Sequence, residues 1–325
     1  MDRRKFVKGL GSAGAGYVAA SLPFGHQAWA AYPAKPVTIL VPFAAGGGGD
    51  ILTRAIADHA RNKRSIPVGV EYRPGAGATI APSQVARAEP DGAMLGLYSV
   101  SPFLTVPHLQ KLSYDTTKDF TYIAIYAFIP IAMYAPVESQ LTDWAGVLRF
   151  AKDNPGRFRW GTSGVRGVAH IAVEAAFKKE GVRTTFVPFT GGAEAITAML
   201  GGHIEAVVSA DYGPQLAAGK VRLLALTGTE KLGQFPDLPT FKDLGYPLAS
   251  EAIYGIFGPA KLPGEVVAYW EGVTKEMMGT EEFRNVLKTI NAGPVYMDSR
   301  EFTTNVTENY RKLGEAIEAL GLKAK

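Results

Sequence analysis

Three times along this chain an apolar run stops at glycine and a helix-forming stretch begins, and that order restricts the possible folds more than any other feature. Val37-Thr38-Ile39-Leu40-Val41-Pro42-Phe43 suits a strand buried on both faces. Ala44-Ala45-Gly46-Gly47-Gly48-Gly49 breaks it, and Asp50 opens a helix with Ile51, Leu52, Ala55 and Ile56 on one face. Phe158-Arg159-Trp160 leads through the loop Gly161 to Gly167 into a helix face of Val168, Ile171, Ala172, Ala175 and Ala176. Thr185 to Phe189 then turns at Thr190-Gly191-Gly192 into a helix from Ala193 to Leu200, and Ile204 to Val208 follows as a strand. The copies share architecture and not sequence, so they are not repeats. Alternating strands and helices imply an α/β protein with parallel sheets covered on both faces.

Further apolar strand candidates are Met94 to Val100, Tyr122 to Tyr134 and Val221 to Thr227. Helices are expected over Pro263 to Met278, Glu281 to Ile290 and Ser299 to Leu320, and Pro236 to Thr240 is a turn. With 325 residues, 47% of them hydrophobic, the chain can build two cores. No low-complexity linker divides it, which suits two lobes joined by crossing strands, the C-terminal segment packing back on the first. Beyond the first thirty positions no run of about 18 apolar residues is present, so nothing in the body spans a bilayer.

The first thirty residues read as an address. Arg3-Arg4-Lys5-Phe6 is a basic head, the stretch Gly9 to Pro23 is uncharged, and Ala28-Trp29-Ala30 supplies the small residues of a cleavage site. The paired arginines resemble a twin-arginine signal, so cleavage near Ala30 and a soluble periplasmic chain beginning at Ala31 are expected. That head holds Asp2, Arg3, Arg4, Lys5 and Lys8, a net of +3 out of +4, which leaves +1 on the remainder. Such a balance gives no push toward nucleic acid or an anionic membrane. Cysteine is absent, which removes disulfides, thiolate metal sites, cysteine nucleophiles and a lipid-bearing leading cysteine.

The glycine loops are the candidate site. The first turn of a helix has unpaired N–H groups and partial positive charge, so a carboxylate placed there gains hydrogen bonds. Glycine lets the backbone approach closely. In open parallel sheets such loops gather at the carboxyl ends of the strands, where ligands bind. The candidate ligand-binding set is Phe43, Ala44, Ala45, Gly46, Gly47 and Asp50 in the first loop, and Ser99 in the strand candidate Met94 to Val100. Thr162, Ser163, Gly164, Arg166 and His170 follow from the second, and Thr190, Gly191 and Gly192 from the third. Arg166 reads as a bidentate carboxylate partner or as a solvated rim residue. Asp211 caps a helix or meets a donor on the ligand. Phe43, Tyr98 and Phe189 line an apolar middle or belong to the core.

Several segments, in order, resemble the tripartite tricarboxylate transporter solute-binding proteins, the Bug or TctC family. Tyr32-Pro33-Ala34-Lys35-Pro36-Val37 precedes Val41-Pro42-Phe43-Ala44-Ala45-Gly46-Gly47-Gly48-Gly49-Asp50, then come Arg73-Pro74-Gly75-Ala76-Gly77, Glu89-Pro90-Asp91-Gly92 and Asn154-Pro155-Gly156. Val187-Pro188-Phe189, Leu200-Gly201-Gly202, Ala218 to Ala225 and Pro236 to Thr240 complete the match. The resemblance implies a periplasmic-binding-protein fold of Venus flytrap, type II-like form, with lobe 1 over residues 31–134 and 250–325 and lobe 2 over 135–249. It implies a small carboxylate ligand, held by the loop Phe43 to Asp50 at one end and by Gly161 to His170 and Thr190 to Gly192 at the other. It also implies a two-component membrane permease as partner, with the binding protein itself a monomer. Arg166-Gly167, Gly49 and Ala78-Thr79 depart from the family's usual Gly-Thr, hydroxyl residue and Gly-Asn.

An enzyme is not expected. The five histidines show no paired metal-ligand spacing, and His170 suits packing better than base catalysis. Gly161 to Val165 misses the nucleophile elbow at its last glycine, Gly46 to Asp50 lacks the Lys-Ser/Thr of a phosphate loop, and Gly75 to Ile80 fails the dinucleotide fingerprint. No cofactor or metal is expected. The remaining alternatives are a sensor reporting to a membrane kinase and a cofactor-free hydrolase; a transcription regulator would carry a DNA-binding head where the export signal stands.

Overall fold

The computed structural model describes residues 32–33, 35–162, 167–229, 231, 235–319 and 321, so the signal segment 1–30 lies outside the described residues. The chain runs β1 (Val37–Val41), α1 (Gly48–Arg64), β2 (Val68–Tyr72), α2 (Ile80–Val85), β3 (Met94–Tyr98), α3 (Val100–Leu104), α4 (Val106–Leu109), β4 (Phe120–Pro130) and β5 (Ala132–Pro136). It continues through α5 (Trp144–Asp153), β6 (Arg159–Thr162), α6 (Val168–Glu180), β7 (Thr185–Pro188), α7 (Gly192–Leu200), β8 (Ala206–Ser209), α8 (Gly213–Ala217) and β9 (Val221–Leu226). The last elements are β10 (Glu251–Pro259), α9 (Gly264–Met278), α10 (Glu281–Thr289), β11 (Gly293–Met297) and α11 (Ser299–Ala319).

Two sheets result, in the orders β11-β4-β10-β3-β1-β2 and β7-β6-β8-β5-β9. The strand–loop–helix units behave as read: β1 is parallel to β2 and β3, and β6 is parallel to β7 and β8. The expectation of wholly parallel sheets needs correction. β10 runs antiparallel to β3 and β4, and β5 antiparallel to β8 and β9. The chain passes from the first sheet to the second between β4 and β5 and returns between β9 and β10, so the antiparallel strands are those beside the crossings. The apolar run Tyr122 to Tyr134 is two strands. Ile131 separates β4 in the first sheet from β5 in the second.

Aromatic packing holds each sheet. Tyr98 is 1% exposed and meets Phe103 at 4.9 Å and Phe302 at 4.7 Å between ring centroids, so it belongs to the core and not to a ligand surface. On the second sheet Trp160 is fully buried against Phe177 and Phe186. Phe189 lies under Gly161, where a Cβ would come within 2.5 Å of its ring. Small residues in these strands are thus set by the rings they cover.

Candidate functional site

A cavity of about 410 Å³ lies at the carboxyl ends of β1 and β3 from one sheet and β6 and β8 from the other. The three glycine loops converge on it, and the reason begins with their local structure. Gly46 has φ +92, a conformation other residues adopt only with strain. Gly47 caps α1 in extended geometry with no side-chain bond of its own. Asp50, in the first turn of α1, reaches back past the cap residue Gly47 to accept the Gly46 N–H at 2.8 Å. Its other oxygen accepts from Arg54 Nε at 2.8 Å and from the Tyr72 hydroxyl at 2.7 Å. Asp50 therefore holds the loop from beneath.

The two halves of the cavity cap each other's helices. Asp211, after β8, accepts the Gly48 N–H of α1 at 3.1 Å. Ser101, after β3, accepts the Val168 N–H of α6 at 3.0 Å. Each first-turn donor, otherwise without a partner inside its helix, is met by a side chain that follows a strand of the opposite sheet. Asp211 also donates its own N–H to Ser209 Oγ at 3.1 Å, and Ser209 Oγ lies 2.8 Å from the Tyr134 hydroxyl. Burial pushes the Asp211 carboxyl up from its ordinary value, against the hydrogen bonds from Gly48 and Ser209. At α7, Glu194 accepts both the N–H of Thr190, at 3.0 Å, and its hydroxyl, at 2.7 Å. Those bonds hold Glu194 below the usual carboxylate range.

Of the sequence-derived candidates, Phe43, Ala44, Ala45, Gly46, Gly47, Ser99, Thr162, Gly191, Gly192 and Asp211 line the cavity. Asp50, His170 and Thr190 do not, and the chemistry of each explains its place. Asp50 is 4% exposed beneath the loop. His170 stacks on Phe186 with ring centroids 3.7 Å apart. Thr190 turns its hydroxyl to Glu194. Ser163, Gly164 and Arg166 lie outside the described residues. Sequence reasoning missed Ser101, Ile131, Thr197, Glu251 and Tyr254, which also line the cavity. Among the described residues no group of three or more His, Asp or Glu is placed to hold a metal.

Ser99 stands out among the lining groups. It is 5% exposed, and its Oγ has no hydrogen-bond partner among the described residues. Leaving a buried hydroxyl unsatisfied costs about 1–3 kcal/mol, which a bound polar group would relieve. Ser99→Ala is expected to leave the ligand-free melting temperature unchanged or higher, while weakening ligand binding by about tenfold. Paired thermal melts and calorimetry check it, and a lower ligand-free stability with unaltered affinity would reverse the reading of this hydroxyl.

Two α/β sheets joined by crossing strands, with helix N-termini from both facing one cavity, define the periplasmic-binding-protein class, the Venus flytrap. A family model described as the tripartite tricarboxylate transporter family receptor, TctC, matches residues 52–322. A Cupriavidus necator protein, "UPF0065 protein in gbd 5'region", is 30% identical over 325 residues, 99% of each chain. The structure of the periplasmic binding protein BugD superposes with a TM-score of 0.83 at 26% identity, over 90% of this chain and 100% of that one. Rpa4515 of R. palustris, solved with adipate, shares the fold with a TM-score of 0.84 at 23% identity, over 90% and 100%. The chain belongs to the tripartite tricarboxylate transporter receptor family, whose members are periplasmic solute-binding proteins. Among the described residues no helix is long and apolar enough to cross a membrane.

Proposed function

We propose that this chain is an exported receptor that captures a small organic carboxylate in the periplasm and delivers it to a two-component membrane permease of the tripartite type. The observation that carries the reading is the convergence of the α1, α6 and α7 N-termini, from both sheets, on one cavity. Helix starts attract anions without needing a basic side chain. Apolar walls from Phe43, Ile131 and Ile196 leave room for a hydrocarbon body, either the chain of a dicarboxylate or an aromatic ring. In this mechanism the lobe built on the first sheet takes the ligand first. The lobe built on the second sheet, β5 included, then closes by a hinge motion. The Gly48–Asp211 and Val168–Ser101 bonds form in the closed arrangement, and ligand drives closure only by its greater affinity for that state.

A thermal-shift panel on the mature chain from Ala31 tests this. Succinate, malate, adipate, glutarate, benzoate and amino acids are offered singly. A ligand at a hundred times its dissociation constant adds about 2.7 kcal/mol to stability, a shift of about 5 °C for a chain of this size. At least one organic acid is expected to give it. A flat response to every acid, together with turnover of a carboxylate ester, would replace the receptor reading with an enzyme.

A further inference from the structure

We propose that Gly213 is the stop that sets how far the two lobes close, because its missing side chain lets the backbones of the two lobes meet beside the hinge. The inference rests on the closing motion described above and concerns its set point, not what fills the cavity.

The chain crosses between the sheets at Ile131 and again between β9 and β10, and the two passages are tied side by side. Thr227 donates its N–H to the Ile131 carbonyl at 2.8 Å, and Ser250 donates its N–H to the Thr227 carbonyl at 2.7 Å. Thr227 is fully buried, and its Oγ1 lies 2.9 Å from Ser250 Oγ. These residues form the joint about which the lobes turn. Gly213 opens α8, which packs on β9 of the second sheet. Ile290 and Asn291 follow α10, which packs on α9 and on β11 of the first. The two segments meet next to the joint. β11 begins at Gly293, opposite Phe128, just before Ile131, and β8 ends at Ser209, opposite Ala132, just after it.

A Cβ at 213 would stand 3.2 Å from Ile290 Cα, 3.3 Å from the Ile290 carbonyl carbon and 3.3 Å from Asn291 Nδ2. The first two atoms are backbone, so no rotation of a side chain makes room for it. Ile290 is buried and Asn291 holds φ +52 at the end of α10. On the facing side Tyr212 is fully buried, its ring 5.9 Å from that of Tyr134, and roots the segment in the core of the second lobe. Neither wall yields alone, so a side chain at 213 is accommodated by turning one lobe against the other. Beside a pivot, a small displacement becomes a large one at the far ends of the lobes. Gly213, Ile290 and Asn291 do not line the cavity. A change at 213 therefore alters the closing angle without removing a group that faces the ligand.

The chain has no cysteine, so spin labels on Gln84→Cys in α2 and Lys152→Cys in α5, both exposed, report a single distance between the lobes. In the mature protein without added acid, Gly213→Ala and Gly213→Leu are expected to move that distance in the same direction. The steps should grow with the side chain and reach about 2 Å or more for leucine. Pro214 follows, so any side chain at 213 also crowds the proline ring. That local cost lowers the melting temperature but does not turn the lobes, which is why the distance is the readout. Gly264→Ala, where a Cβ meets nothing within 4 Å, is expected to keep the wild-type distance. Folded G213A and G213L at the wild-type distance, with a lower melting temperature as their only effect, would overturn the inference. Alanine alone decides it if the leucine variant does not fold. The thermal-shift panel involves no change at 213, so a failure of the receptor reading appears there and a failure of the stop appears here.

Discussion

Alanine at position 192 is expected to weaken binding of the best carboxylate from the thermal-shift panel by about ten- to a hundredfold. Gly192 has no positive φ, so the backbone tolerates alanine and the effect is one of space. An added Cβ would overlap Asp211 Oδ2 and stand 2.6 Å from Cγ and 3.0 Å from Cβ of the same residue. Neither side yields freely. Asp211 is tied to Gly48 and Ser209, and the start of α7 is tied through Glu194 to the Thr190 N–H. Something must part, and a hydrogen bond to a charged group contributes about 1.5–3 kcal/mol, which is the stated range in affinity. The effect should depend on Asp211. In an Asp211→Ala background the same change meets no carboxylate and should cost little, so a double-mutant cycle isolates the contact. Calorimetry on folded G192A within twofold of wild type would show that the two groups are not packed as described.

Most of the strand–loop–helix framework was legible because its signals are local. Buried apolar runs stop at glycine, and each helix face repeats with its own period, so α9 and α10 fall within a residue of their expected spans. The break at Ile131 was not legible. Tyr122 to Tyr134 is apolar throughout, and a strand that changes sheets leaves no mark in composition. The same limit applies to the cavity. Phe43 to Gly47 and Gly191-Gly192 are readable as loops ahead of helices. Ile131, Glu251 and Tyr254 join the wall only because β4, β5 and β10 carry the chain between the sheets. Asp50 and Thr190 show a different limit. A carboxylate or hydroxyl at a helix start serves a ligand or the loop itself with equal ease. Arg54 and Tyr72 settle the place of Asp50, as Glu194 settles that of Thr190, and neither pairing is marked in the spacing of ligand-loop residues.

Gly255→Ala should be the most destabilising single methyl in the first sheet, lowering stability by about 3 kcal/mol and the melting temperature by about 6 °C or more. β10 runs between β3 and β4, and its register against β4 shifts between Tyr254 and Gly255. The shift brings the strands so close that a Cβ at 255 would overlap the carbonyl oxygen of Ala124 and stand 3.1 Å from Phe302 Cε1. The first of these is backbone in a central strand, so relief requires moving β4 and not merely a side chain. Tyr254, Ala252 and Glu251 lie on the same strand and line the cavity, so ligand affinity should fall together with stability. Gly272→Ala supplies the contrast. It sits inside α9, where a Cβ meets nothing nearer than Arg64 Nη2 at 3.7 Å, and alanine there should add about 0.5–1 kcal/mol through helix propensity. Denaturant melts of both variants read the two signs directly. A G255A protein as stable as G272A would mean that β10 and β4 do not meet in the register that builds the cavity wall.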